Sequence, residues 1–156
     1  MGADIKLQNE RLEGEPMADL LIRSSSLSGT IVEGEIIPSL IDELPMVAVM
    51  AAFAEGTTII RDAAELRVKE SDRIKVMTKN LLLMGVDAEE TPDGMIIRGG
   101  KAVHGATVDS CKDHRVAMSL AIAGGICDGP LSIRDGDCVN ISYPAFYQDL
   151  YSLIKE

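Results

Sequence analysis

An internal repeat is the feature of this 156-residue sequence that most limits how it folds. Gly-Thr-Ile-Val at residues 29–32 matches Gly-Ala-Thr-Val at residues 105–108, and residues 56–62 match residues 129–135 in the same order. Repeated segments of this kind form equivalent structural units that share a core. We therefore expect the two copies to fold alike and to pack against each other.

Hydrophobic periodicity and turn residues predict the order β-α-β-α-β-β in the first copy and the first four of these elements in the second. Thr91-Pro92-Asp93-Gly94 lies between two short strands and predicts a hairpin, because Pro, Asp and Gly are turn residues. The predicted strands span residues 18–23, 30–36, 57–61, 86–90, 95–98, 106–110 and 131–134. The predicted helices span residues 71–84, 113–127 and 144–154, and a further one begins at residues 41–43.

The domain interpretation follows from this order. Residues 1–156 are interpreted as one domain, with a first repeat at about residues 29–99 and a second, incomplete repeat at about residues 105–156. Residues 1–28 contain a hairpin that would close a preceding repeat. Both ends therefore look cut from a longer periodic chain.

Two segments in equivalent repeat positions, residues 43–54 and 116–127, are apolar almost all round and rich in Ala, Met and Gly. A helix without a polar face belongs in a protein interior. The predicted fold class is therefore α/β (α+β), with helices inside and sheets outside.

Charge and cysteine content exclude several classes of function. A formal net charge of −10 and a pI near 4.6 argue against sequence-independent binding to nucleic acid and against binding to an anionic membrane. The longest apolar runs are shorter than the roughly 20 residues that cross a bilayer. The three cysteines have no CxxC spacing, which predicts reduced thiols in a cytoplasmic protein. With only two histidines, no histidine-based metal site is expected.

The first candidate anion site is the charged run at residues 65–73, which holds three cations and three anions before a predicted helix. Lys69 and Arg73, four residues apart, would project to the same side of the helix start, where free amides add positive potential. This arrangement suits a phosphate or a carboxylate. The alternative is a solvated, self-neutralising charge cluster in which Ser71 or Asp72 caps the helix.

The second candidate is Lys112-Asp113-His114-Arg115, at the equivalent start of an apolar helix. Arg115 could bind a carboxylate or phosphate through two parallel hydrogen bonds, or it could reach solvent while Asp113 caps the helix. Asp42 corresponds to Asp113 in the repeat. It is either another helix cap or a carboxylate able to take a proton from a substrate hydroxyl.

Taken together, these segments resemble one enzyme family. Ile41-Asp42-Glu43, residues 65–73 and residues 113–118 (Asp-His-Arg-Val-Ala-Met) resemble, in this order, the C-terminal part of 5-enolpyruvylshikimate-3-phosphate (EPSP) synthases, the 3-phosphoshikimate 1-carboxyvinyltransferases. The resemblance extends from Met1-Gly2-Ala3 to Ser142-Tyr143-Pro144. It implies an inverse α/β barrel of repeated βαβαββ units, which agrees with the repeat found in the sequence.

The resemblance also implies a reaction and the residues that perform it. The family transfers the enolpyruvyl group of phosphoenolpyruvate to the 5-hydroxyl of shikimate 3-phosphate and releases phosphate, without a metal or organic cofactor. Asp42 would contact the ring hydroxyls and serve as the base for the attacking oxygen. Lys69 would bind the shikimate substrate and take part in proton transfer, and Glu70 would exchange a proton at the phosphoenolpyruvate methylene. Arg73 and Arg115 would hold the phosphoenolpyruvate carboxylate.

The sequence departs from the family pattern in three ways. Asn140-Ile141 stands where some members carry a basic residue, and Glu65 stands where others carry a neutral amide. The Lys- and Ser-rich substrate motifs of the family's N-terminal part have no counterpart. We therefore expect a monomer that binds its substrates weakly, does not turn over alone, and has the missing N-terminal part of the enzyme as its partner. The alternatives are a non-catalytic folded module or substrate-binding fragment, and an enolpyruvyl transferase that acts on a UDP-sugar.

Overall fold

The computed structural model describes residues 1–153 and contains the repeated order of elements that the sequence predicts. Residue 154 of the last predicted helix lies outside the described residues. The strands are β1 (Asp4–Arg11), β2 (Met17–Arg23), β3 (Ile31–Val32), β4 (Thr57–Ile60), β5 (Asp87–Thr91), β6 (Gly94–Arg98), β7 (Thr107–Asp109) and β8 (Ser132–Arg134). The helices are α1 (Ile37–Leu40), α2 (Leu44–Phe53), α3 (Arg73–Leu83), α4 (His114–Gly124) and α5 (Phe146–Leu153).

The strand pairing repeats as well. In the first copy the sheet order is β3-β4-β6-β5, with β3 parallel to β4 and the other neighbours antiparallel. In the second copy β7 pairs with β8 in parallel, as β3 does with β4. The two copies are therefore built alike as far as the second extends.

Each copy begins at a glycine pressed against the backbone beside it. A Cβ on Gly29 would lie 2.2 Å from the carbonyl oxygen of Thr57, and one on Gly105 would lie 2.2 Å from that of Pro130. The amide of each glycine also donates a 2.7 Å hydrogen bond to the neighbouring segment. Because no side chain fits at either position, glycine is required at the same point in both copies.

Helices α2 and α4 lie inside, as predicted. Neither helix has an exposed residue, and the two pack against each other. Side chains from α3, β4 and β6 complete one hydrophobic core around them, among them the fully buried Met77, Ile60 and Ile97. Burying each such side chain contributes about 1.5–3 kcal/mol. This core fixes the helix starts on which the candidate site is built.

The hairpin of β1 and β2 is confirmed, and one of its faces is apolar and uncovered in this chain. Ile5 lies opposite Ile22, and Leu7 lies opposite Leu20. These four side chains are 53%, 63%, 56% and 60% exposed, respectively. A two-stranded ribbon has little stability of its own, and a continuous exposed apolar face marks a surface for packing.

Most predicted boundaries shift by one or two residues, and three elements differ by more. The strand predicted for residues 30–36 ends at Val32, because Gly34 has φ +68° and the chain turns into a 3₁₀ helix and then α1. The helix predicted to reach Cys127 ends at Gly124. The helix predicted to begin at residues 41–43 begins at Leu44 and ends at Phe53, before the predicted stop at Gly56.

Within the described part of the chain, no single helix is long and apolar enough to cross a membrane. The segments Gly34–Leu40 and Leu44–Phe53 meet the length and composition criteria only together, and they are bent by 109° relative to each other.

Candidate active site

Arg73, the first residue of α3, lies at the centre of the site with 1% of its side chain exposed. Its guanidinium donates to three carboxylates: Nε to Asp113 at 2.8 Å, Nη1 to Asp42 at 2.9 Å and Nη2 to Glu70 at 2.7 Å. Burial would lower the pKa of Arg73, but the hydrogen bonds to Asp113 and Asp42 raise it above its ordinary value. Arg73 therefore stays positively charged in the protein interior, where an unpaired charge would cost a large amount of free energy.

Asp113 is the buried partner of this arginine. It is fully buried, it caps α4 by accepting from the amides of Arg115 at 3.0 Å and Val116 at 3.4 Å, and it also accepts from the Ser71 hydroxyl at 2.9 Å. Burial raises the pKa of Asp113, but hydrogen bonds and charge from Arg73 outweigh it and leave the pKa lowered. One carboxylate therefore ties the start of α3 to the start of α4.

Asp42 lies between the two site arginines. One oxygen accepts from Arg73, and the other lies 3.8 Å from Nη2 of Arg115. The hydrogen bond from Arg73 lowers the pKa of Asp42, and the charges of Arg115 and Lys69 lower it further, against a smaller upward effect of burial. Asp42 does not cap α2, because the residue at the cap position is Glu43, whose side chain makes no capping hydrogen bond.

The remaining cations of the site are also paired. Arg115, with 35% of its side chain exposed, donates to Glu43 at 3.0 Å. Lys69 lies 2.8 Å from Glu65, and this hydrogen bond raises the pKa of Lys69. The alternative in which Asp113 caps α4 and Arg115 reaches solvent is therefore confirmed in part, because Asp113 is the cap and Arg115 is partly exposed, but Arg115 also lies against carboxylates on the loop before α2.

The balance of charge at the site is negative. Three cations, Lys69, Arg73 and Arg115, lie among five carboxylates that contact them. These carboxylates are Asp42, Glu43, Glu65, Glu70 and Asp113. The alternative of a self-neutralising charge cluster at residues 65–73 is confirmed in part, because Lys69 pairs with Glu65, Arg73 pairs with Glu70, and Asp72 caps α3. The sequence did not indicate the further pairs of Arg73 with Asp42 and Asp113.

An apolar groove opens beside Asp42 and Arg115. It has a volume of about 220 Å³, and its lining includes Met118, Ile122 and Phe146. Asn140 and Ile141, in the 3₁₀ helix before α5, supply no cation to the site, and Ile141 is 74% exposed. Among the described residues, no group of three His, Cys, Asp or Glu side chains is arranged to hold a metal ion.

The structure brings the five predicted site residues to one place, at the starts of α2, α3 and α4. Sequence reasoning missed the second role of Asp113, which it treated only as a helix cap. The repeat held a signal for this role, because Asp42 and Asp113 are equivalent positions and both bind the guanidinium of Arg73. Arg73 therefore lies between the two copies and is shared by them.

Fold and site together define a class: an α/β repeat protein in which the starts of α2, α3 and α4 bring arginines and carboxylates together. A sequence profile described as EPSP synthase (3-phosphoshikimate 1-carboxyvinyltransferase) matches residues 1–150. The chain belongs to the EPSP synthase family.

Relatives and solved structures agree with this assignment. The chain is 53% identical over 156 residues to the 3-phosphoshikimate 1-carboxyvinyltransferase of Synechococcus sp. (strain JA-3-3Ab), covering 99% of this chain and 35% of that protein. It is 54% identical to the enzyme of that name from Gloeobacter violaceus, over 96% of this chain and 35% of that protein. An EPSP synthase structure from Acinetobacter baumannii superposes with a TM-score of 0.92 at 42% identity, over 97% of this chain and 36% of the other. The chain therefore spans about a third of the length of these proteins.

Proposed function

We propose that this chain is the C-terminal portion of an enzyme that transfers enolpyruvyl from phosphoenolpyruvate to the 5-hydroxyl of shikimate 3-phosphate. This step belongs to the shikimate pathway of aromatic amino acid biosynthesis. The observation that carries the proposal is the convergence of Asp42, Lys69, Glu70, Arg73 and Arg115 on one site in a chain of this family. The family match favours this reaction over that of a UDP-sugar enolpyruvyl transferase.

Arg73 and Arg115 are proposed to bind the carboxylate of phosphoenolpyruvate. On Arg73, Asp113 occupies the buried side, whereas Asp42 and Glu70 have side chains that are 43% and 51% exposed. An incoming carboxylate can displace an exposed carboxylate from the guanidinium far more easily than the buried one. Substrate binding would therefore release Glu70 or Asp42 and leave Asp113 in place.

This release would prepare the two acidic groups for proton transfer. Freed from Arg73, Asp42 would lose the hydrogen bond that lowers its pKa and become a better acceptor for the proton of the 5-hydroxyl. Glu70 would exchange a proton at the methylene carbon. Lys69 would bind the shikimate substrate and take part in proton transfer. The 5-oxygen adds to C2 of phosphoenolpyruvate as C3 takes up a proton. Loss of a C3 proton and of phosphate from C2 then gives the enol ether product.

The negative charge balance supports the expectation that the isolated chain binds its substrates weakly and does not turn over. Shikimate 3-phosphate and phosphoenolpyruvate are both anions, and further cations must neutralise them before they can approach each other. We propose that these cations come from the N-terminal part of the same enzyme. Steady phosphate release by the isolated chain with both substrates would contradict this proposal.

The uncovered face of the β1–β2 hairpin also supports the N-terminal part of the enzyme as the partner of this chain. In the first copy, the β5–β6 hairpin is covered, with Met95 and Ile97 fully buried against the helices of that repeat. Residues 1–28 would be the equivalent hairpin of a preceding repeat, which would cover Ile5, Leu7, Leu20 and Ile22 in the complete protein. We further propose one domain of repeats at about 29–99 and 105–156, in a monomeric cytoplasmic enzyme.

The test is an assay of the full-length protein that contains this segment. We expect phosphate release only when both substrates are present, and an Arg115→Gln variant should need a higher concentration of phosphoenolpyruvate. Arg98→Gln is the matched control, since Arg98 pairs with Asp87 and Glu89 on the β5–β6 hairpin, away from the site. A folded full-length protein that releases no phosphate would overturn the proposal in favour of a non-catalytic module.

A further inference from the structure

Arg67 has no part in the proposed reaction, although its guanidinium donates hydrogen bonds to three different groups, and its Nη1 also lies 3.6 Å from Oε2 of Glu90. Nε donates to the carbonyl oxygen of Pro92 at 2.8 Å, and Nη2 donates to that of Thr91 at 2.6 Å. Nη1 donates to Oδ2 of Asp72 at 2.8 Å. Arg67 therefore joins the turn between β5 and β6 to the residue before α3.

Asp72 uses its two oxygens for two different purposes. Oδ1 accepts from the amide of Lys75 at 3.0 Å and caps α3, while Oδ2 accepts from Arg67. The Arg67–Asp72 ion pair thus closes a loop of the chain at the helix start. Lys69 and Glu70 lie inside this loop, between its two closing residues.

The turn that receives Arg67 is itself fixed. The amide of Ala63 donates to the carbonyl oxygen of Asp93 at 2.8 Å, and the amide of Asp62 donates to Oδ2 of Asp93 at 2.9 Å. The segment that leads into the loop is therefore attached to the same turn. This makes the turn a rigid support rather than a free hairpin end.

We propose that Arg67 is a positioning residue, which holds Lys69 and Glu70 at the site by clamping residues 67–72 between the β5–β6 turn and the start of α3. The inference rests on the proposed function. Among residues 1–153, the side chains of Lys69 and Glu70 are held only by Glu65, which is 63% exposed, and by Arg73, from which substrate would displace Glu70. Once substrate is bound, the clamp on the backbone fixes where these two side chains lie.

The first arm of the test uses the full-length protein with Arg67→Ala and Arg67→Lys, and Arg98→Ala as the matched control. Misplacing reacting groups by about 1 Å costs about 100-fold in rate, so we expect kcat to fall about 10- to 100-fold in Arg67→Ala. KM for phosphoenolpyruvate should change by less than about threefold, because Arg73 and Arg115 remain. Arg67→Lys keeps the positive charge but loses the planar guanidinium that donates to several acceptors at once. Its kcat should therefore lie between those of Arg67→Ala and the parent.

The second arm is a double-mutant cycle with Asp72→Asn, which keeps a good capping residue but loses the charge that pairs with Arg67. We expect Asp72→Asn to lower kcat alone and to lower it little further in the Arg67→Ala background. If Arg67 were purely structural, Arg67→Ala would lower the melting temperature but leave kcat of the folded protein unchanged, and that result would overturn the inference. Additive effects of the two substitutions on kcat would overturn it as well. If Arg67→Ala does not fold, Arg67→Lys and Asp72→Asn still decide the question. An inactive parent enzyme would overturn the proposed function and this inference together, whereas an active parent with unaffected variants overturns this inference alone.

Discussion

Arg73 and Asp113 form an ion pair that is shielded from solvent on both sides, with Nε 2.8 Å from Oδ2 and side chains that are 1% and 0% exposed. The pair links the first helix turn of α3 in one repeat to that of α4 in the next. Because the same carboxylate caps α4 and accepts from Ser71, the pair holds together the two segments that carry the candidate site residues.

Asp113→Asn is expected to destabilise the chain strongly. Breaking a buried ion pair costs about 3–5 kcal/mol, and we expect a loss at the lower end of this range because Asp42 and Glu70 still pair with Arg73. Urea unfolding followed by circular dichroism measures this loss. Asp87→Asn is the matched control, because Asp87 pairs with Arg98 on the surface and its loss should leave the unfolding midpoint nearly unchanged. Equal midpoint shifts for the two variants would contradict the account.

The stability of the chain should depend on pH below about pH 4 through Asp42 and Asp113. Hydrogen bonds from Arg73 leave both pKa values lowered in the folded chain, for Asp113 against the upward effect of its burial. The unfolded state therefore takes up protons first as the pH falls from its aspartate value of about 3.9. The stability that these groups contribute is complete above that pH and is lost as the pH falls through the lower folded pKa values.

The matching measurement compares unfolding of the parent chain and Asp113→Asn from pH 7 to pH 2. Their difference in unfolding free energy should be constant down to about pH 4 and should then shrink, because a protonated Asp113 resembles Asn. A difference that grows with acidity would mean that the pair is not ionised in the folded state.

Gly105→Ala should lower the stability of the chain as much as Gly29→Ala does, although the two positions lie in different copies. Each added Cβ would meet a carbonyl oxygen at 2.2 Å, so the neighbouring backbone must move. Overpacking of this kind costs on the order of 1–3 kcal/mol or more. Thermal unfolding checks this, with Gly14→Ala as a control in open space, where only the φ of +78° opposes the substitution. Unequal effects at Gly29 and Gly105 would contradict the structural equivalence of the copies.

Glu65→Gln should strengthen the binding of shikimate 3-phosphate to the isolated chain. The substitution removes the carboxylate 2.8 Å from Lys69 and frees that cation for an anionic ligand. Because exposed pairs are weak, the expected decrease in the dissociation constant is about two- to fivefold. Isothermal titration at low salt measures it, with Glu10→Gln on the distant β1–β2 hairpin as the control. An unchanged or weaker affinity would show that Lys69 is not at the binding site.

Much of the fold was predictable because the repeat supplied two versions of each signal. The element order, the interior position of α2 and α4 and the β5–β6 hairpin all follow from periodicity, apolar composition and turn residues. The strand predicted past Val32 was wrong because the apolar Ile36 suggested that it continues beyond Glu33-Gly34-Glu35, whereas the chain turns at Gly34, which has a positive φ. Local patterns do not report this change of backbone direction.

The site was predictable only in part. Helix starts and charge spacing pointed to Lys69, Arg73 and Arg115, the repeat and a helix start pointed to Asp42, and the resemblance added Glu70. Pairs within residues 65–73 were foreseen as the alternative interpretation, but the pairs of Arg73 with Asp113 and Asp42 were not predictable, because these carboxylates lie 40 and 31 residues away. Spacing along one helix says nothing about such contacts, which depend on how the two repeats pack.

The most direct test of the central claim is a titration of the isotope-labelled chain with shikimate 3-phosphate and phosphoenolpyruvate, followed by backbone amide shifts. We predict weak, saturable shifts at the amides of residues 69–73 and at Arg115, with none on the β1–β2 hairpin. Raising the salt concentration should weaken these shifts, because the ligands are anions held by cations. Shifts at neither motif, at any ligand concentration, would contradict the claim that these residues form a substrate site and would leave only the fold.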